Sequence, residues 1–98
     1  MSEILAVKTI SAEEVIATIV ENNDDHYIIE KARVLVMQQD NKGNVNLGML
    51  PFMVSSNDPE LTTEANIRLN KKDIISEVIG VPQALQTAYL QQVSGIVL

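Results

Sequence analysis

Apolar residues along this chain fall in short runs separated by clusters of small polar ones, and the runs are dense in β-branched side chains. Ile4 to Ile10 is one such run, and Val15 to Val20 follows it with two Val, two Ile and a Thr close together. A second heavy atom on Cβ restricts χ1 and favours the pleated strand over the helix. Ser11 and Glu14 also have the spacing of a capping box, which sets a helix through Ala17 against a hairpin turn at Ser11 to Glu13. The β-branched crowding decides for the hairpin.

Asn22-Asn23-Asp24-Asp25 closes the second strand, because short Asn and Asp side chains bond their own backbone in turns. Tyr27 to Gln39 then reads as a long strand, with Val34 and Val36 facing one side and Leu35 and Met37 the other. Apolar residues on both faces suit a curved or barrel-forming sheet. Asp40-Asn41-Lys42-Gly43-Asn44 is a hairpin connection in which Gly43 supplies the positive φ such loops require. A strand follows from Val45 to Val54, and Pro51, which has no N–H to donate, marks it as an edge, a bulge or a break, with Gly48 supporting a bend.

Ser55 to Thr63 is polar, contains Asn57-Asp58-Pro59 and reads as an exposed loop. Strands resume at Ala65 to Leu69 and Ile74 to Ile79, around a polar turn at Asn70 to Asp73. The period then changes: Pro82 suits a first helical position, Leu85, Ala88, Tyr89 and Val93 share a face, and Gly95 is a stop signal. A helix is expected from Pro82 to Val93, with the apolar Ile96 to Leu98 lying back on the core or on a neighbouring subunit. With no repeat or linker, residues 1–98 read as one domain, strands over about 4 to 79 and a helix after them.

Composition narrows the function classes. The 46% hydrophobic content is that of a folded chain, and 98 residues limit it to one modest core. Without cysteine there are no disulfides, thiolate nucleophiles or Cys-containing zinc sites, and a reducing, cytoplasmic compartment is expected. Glu3 stands where a signal peptide would be basic, and no apolar run reaches the roughly 18 residues of a membrane span, so no leader, anchor or membrane partner is expected. The net charge of -6 is concentrated in residues 1 to 30, where seven acids face Lys8 alone, while residues 31 to 72 hold six bases and four acids. An acidic chain repels polyanions unless its cations are gathered locally.

Candidate chemistry is sparse. His26 is the one histidine, and Asp24 and Asp25 beside it in a turn point in different directions, whereas a metal needs three or four convergent ligands. No serine has a recognisable base partner, and the four glycines are isolated and cradle no phosphate. The chain is therefore expected to be no enzyme and to take no cofactor. Of the three aromatics, Tyr27 beside the Asp24 to His26 turn is the one placed to stack on a base, and Arg68, Lys71 and Lys72 form the single basic cluster.

Short strands with sharp bends and a long polar loop before the last two resemble the Sm-like family. Ile4 to Gln39 is similar to its first segment. Ala65 to Ile79 is similar to its second, in which a hydrophobic residue, a basic residue, Gly, two variable residues and Ile match Leu69-Asn70-Lys71-Lys72-Asp73-Ile74, with Asn70 at the basic position and Lys71 at the glycine. Gly48-Met49-Leu50-Pro51-Phe52 and the C-terminal helix look most like divergent Sm-like proteins of tailed phages, particularly cyanophages. The resemblance implies a mostly-β fold, a small five-stranded, strongly bent open barrel with a C-terminal helix. It further implies a homo-oligomeric ring of about five to seven subunits that binds single-stranded RNA in phage post-transcriptional control, through His26, Tyr27, Asn70, Lys71 and Lys72. The alternative is a scaffold or protein-interaction module of the same fold with no nucleic-acid role, which the acidic balance favours.

Overall fold

A computed structural model describes residues 3–52 and 66–94. The expected Ser55 to Thr63 loop, the end of the fourth strand at Met53 and Val54, the Gly95 stop and the Ile96 to Leu98 tail lie outside the described residues. The elements in order are β1 (Glu3–Thr9), β2 (Glu14–Asn22), β3 (His26–Gln39), β4 (Val45–Pro51), β5 (Ile67–Asn70), a 3-10 turn (Lys71–Asp73), β6 (Ile74–Glu77) and α1 (Gln83–Ser94).

The hairpin prevails over the capping-box helix. β1 and β2 pair antiparallel with Val7 opposite Val15, and the turn is closed by Thr9 N to Glu13 O at 2.9 Å, with Ala12 at φ 67°. Ser11 donates to the Glu13 carboxylate at 3.0 Å, so its hydroxyl serves the turn and not a helix start.

All the pairings are antiparallel, and the sheet runs β4-β3-β2-β1-β6, with β5 also on β3. Among the described residues it has six strands, as many as the apolar runs mark, where the Sm-like resemblance implies five; the fourteen residues of β3 serve two of them on one edge. His26 to Ile29 pair with β5, and Arg33 to Gln39 pair with β4. Irregularities in the ladders at Lys8/Thr9, Ile16/Thr18 and Ile19/Glu21, and Lys31 at φ 53°, bend the strands. Ile67 and Leu69 of β5 and Ile74 of β6 consequently reach the same core as Leu5, Val15, Ala17 and Ile29. Among the described residues no ladder joins β5 to β6, and the 3-10 turn spans between them.

Both faces of the central strands are covered, which is why their sequences are apolar at successive positions. Leu5 and Val7 enter the first core, while Ala6 and Ile16 face α1. On the helix, Leu85, Tyr89 and Val93 recur at intervals of four and pack on this second cluster. Ala88, expected on the same face, is exposed. β6 ends at Glu77, sooner than expected, and Val78 and Ile79 are exposed ahead of Gly80 at φ 68°. No described helix is long and apolar enough to cross a membrane.

The far half of β3 and β4 pack on the second core through the Leu35–Met49 pair and run on past it as an arm, consistent with dimensions of 45 × 29 × 28 Å. Its tip is ordered by Asp40, whose Oδ1 accepts from Lys42 N and Asn44 N, both at 2.9 Å, while Gly43 takes φ 82°. The Asn44 and Lys42 amides hold the Asp40 carboxyl below its usual range. A lowered folded-state value means this ordering is fully present above the unfolded carboxylate pKa of about 3.9 and is lost as pH falls through the lower folded value. Amide exchange at Lys42 and Asn44 is expected to accelerate in Asp40→Ala at neutral pH; rates equal to the parent's would show that the carboxylate does not order the tip.

Candidate functional site

The β3–β5 ladder sets His26 opposite Asn70 and Tyr27 opposite Leu69. Beyond it, Lys71 N donates to Asp25 O at 2.9 Å, tying the Asp24–His26 turn to the 3-10 turn. Backbone pairing thus brings together residues more than forty positions apart in sequence. Between the two turns opens a cleft lined by Asp24, Asp25, Arg68, Asn70, Lys71 and Lys72.

Three cations and two carboxylates share this cleft, and most of them are linked. Asp25 Oδ1 accepts from His26 Nδ1 at 2.5 Å, and its Oδ2 lies 3.7 Å from Arg68 Nη2. The hydrogen bond from His26 is the main cause holding the Asp25 carboxyl below its usual range. Asn23 Nδ2 donates to His26 Nε2 at 3.0 Å, which occupies the other ring nitrogen. Arg68 Nε donates to Asn70 Oδ1 at 3.1 Å. Lys71 Nζ donates to Asn22 Oδ1 at 2.7 Å and sits 4.6 Å from the centroid of the Tyr27 ring, a cation–π contact. Lys72 is exposed at the rim.

All five residues singled out from the sequence, His26, Tyr27, Asn70, Lys71 and Lys72, therefore lie at one end of the sheet. Their availability differs. Tyr27 is only 8% exposed and belongs to the first core; Lys71 covers its ring and its hydroxyl donates to Glu77 Oε1 at 2.9 Å. Burial, then the Glu77 contact, pushes its phenol above the usual range. It is a support for Lys71 and not an open platform for a base. Sequence reasoning left Arg68 out of the site, although a period of two places it on the same strand face as Asn70. Asn22 carried no such signal, since its contact with Lys71 arises from a pairing distant in sequence, whereas Asn23 and Asp25 bond His26 within the turn, where neighbouring side chains were expected to point apart.

A second cleft has Tyr27 in its wall and is lined in part by Glu3, Asn22, Glu77, Ile79 and Gln86. Two carboxylates at its wall make it unfavourable for anions. Among the described residues no three His, Cys, Asp or Glu side chains converge to hold a metal ion. No protein-family model matches the chain, and no curated protein matches its sequence.

Proposed function

We propose that the chain is a Sm-like protein that assembles into a homo-oligomeric ring and presents the Asp25–Lys71 cleft to single-stranded RNA. The observation that carries the reading is the juxtaposition itself: the turn after β2 and the turn between β5 and β6, the two places where the Sm-like resemblance puts RNA contacts, share one cleft. The strand succession supports it too. β1, β2, β3 and β5 follow one another around the first core, and β6 returns beside β1, the path of a small bent barrel. β5 and β6 each have one ladder partner among the described residues, and a head-to-tail ring would satisfy both remaining edges.

A ring also answers the charge problem. One cleft with Arg68, Lys71 and Lys72 is weak against a chain of -6, but copies around an axis focus a local positive field and make successive contacts intramolecular. Binding of oligo-U and oligo-A to the parent and to a Lys71→Ala, Lys72→Ala double variant, at two salt concentrations, tests this. Each phosphate neutralised on a single strand contributes about 0.7 to the slope of log affinity against log salt, so losing both lysines flattens it by about 1.4 per strand segment contacted. An unchanged slope removes the lysines from the interface.

One observation favours the second reading, an assembly or interaction module without nucleic acid. Arg68 and Lys71 already have partners in Asp25, Asn70 and Asn22, which an RNA phosphate would have to displace. Absence of binding at about 50 mM salt, where phosphate contacts are strong, would leave the scaffold reading standing.

A further inference from the structure

The β3–β4 arm carries apolar side chains that neither core covers. Met37 is 68% exposed, Val45 56%, Leu47 47% and Leu50 48%. Met37 and Leu47 are directly opposite in the ladder and share a face, so their exposure forms a patch and not scattered positions.

Among the described residues the arm also ends the sheet. β4 has β3 as its ladder partner on one side, and among the described residues nothing pairs with its other side. The phase of the ladder says which groups face outward. Phe52 N donates to Ala32 O and Asp40 N to Asn44 O, so the even-numbered residues of β4 are the ones bonded to β3. Val45, Leu47 and Met49 therefore direct their N–H and C=O groups to the open edge.

Protected sheet edges are short or carry charge. β5 and β6, the strands that the proposed ring would join, have four residues each and hold Arg68 or Glu77. β4 has neither protection: its seven residues, Val45–Pro51, contain no charge, and Pro51, which has no N–H to offer the open edge, lies beyond the stretch from Val45 to Met49. In a chain of -6, this is an edge along which two copies can approach without bringing like charges face to face.

We infer that the β4 edge is a two-fold interface at which a second copy of the chain pairs antiparallel, joining two arms into a four-stranded β3-β4-β4-β3 sheet. The register follows from the outward groups. With Leu47 on the two-fold axis it meets Leu47 of the second copy, and Val45 meets Met49, so every outward N–H and C=O from 45 to 49 finds its counterpart. The two Leu47 and two Met37 side chains then form one apolar row on a common face. This contact is separate from the RNA cleft and from a head-to-tail ring: it doubles whatever unit exists, a monomer to a dimer or a ring to a pair of rings.

The absence of cysteine makes a direct test possible. In Leu47→Cys the paired Cα atoms would stand about 5.5 Å apart, inside the range a disulfide spans. Mild oxidation of the full chain should give a covalent dimer rapidly, while Val20→Cys, at 45% exposure on a strand paired on both sides, should not. Leu47→Lys should halve the native mass with an unchanged circular dichroism spectrum, and Val45→Lys serves if that variant fails to fold. Cross-linking no faster than in Val20→Cys, or a native mass unaffected by Leu47→Lys, overturns the interface. A parent that is a dimer and becomes a monomer supports the interface and removes the ring; a ring whose mass does not halve does the reverse.

Discussion

Tyr89→Ala is expected to destabilise the protein by about 3–5 kcal/mol, the range for removing a large buried aromatic. Tyr89 is fully buried and is the largest such side chain on the helix-covered face. Its hydroxyl donates to Lys31 O at 2.9 Å and accepts from Thr18 Oγ1 at 2.9 Å. Lys31 is the residue held at φ 53° in β3, so the helix fastens on the point where the long strand bends. A twelve-residue helix has little stability of its own in water and depends on docking. The substitution should thus melt α1 as well as lower the unfolding midpoint, by at least about 12 °C for a chain of this size. Tyr89→Phe separates the two contributions: it keeps the ring and leaves a buried hydroxyl and a carbonyl short of a partner, for about 1–3 kcal/mol. An unfolding midpoint unchanged in Tyr89→Ala would show that the helix is not docked there.

Ile29→Ala is expected to cost about 2–5 kcal/mol, and its effect should reach the candidate cleft. Ile29 is fully buried in the first core and stands opposite Ile19 of β2 and Ile67 of β5. β5 is only four residues long, and its one ladder among the described residues is to His26 through Ile29. A void at Ile29 removes contacts from the inner end of that ladder, so β5 loosens before the β1–β2 pairing does. Hydrogen exchange reads this directly: the Lys71 amide, bonded to Asp25 O, should lose protection more than amides of β1. Leu90→Ala, at a half-exposed helix position, should change the midpoint little and serves as the comparison. If Lys71 and β1 amides lose protection equally in Ile29→Ala, the cleft is not the weaker unit and opens only with the whole domain.

Local chemistry by itself determined much of this fold. β-branched runs gave β1 and β2, the Asn-Asp cluster gave their boundary with β3, Gly43 gave the arm's turn, and the change of period after Pro82 gave α1. Each rests on a preference that one residue and its neighbours within a turn can express. The basic turn at Lys71 and Lys72 and the acidic turn at Asp24 and Asp25 were equally visible as clusters.

Only the tertiary structure decided how these pieces meet. Nothing local says that β3 pairs with β5 over His26 to Ile29 and with β4 over Arg33 to Gln39, because strand pairing is a choice among distant segments. Tyr27 lies two residues from the fully buried Ile29 on one strand face, and the regular β3–β5 ladder keeps both turned into the core, with Lys71 over the Tyr27 ring instead of a base. Ala88 likewise fits the helical period yet is exposed, because the buried stripe follows steps of four from Leu85 through Tyr89 to Val93 and leaves Ala88 about 100° around the helix from Tyr89. The amino-acid sequence set the strands, turns and helix through short-range conformational preference; packing and long-range ladders chose their partners, and with them the cleft and the open β4 edge.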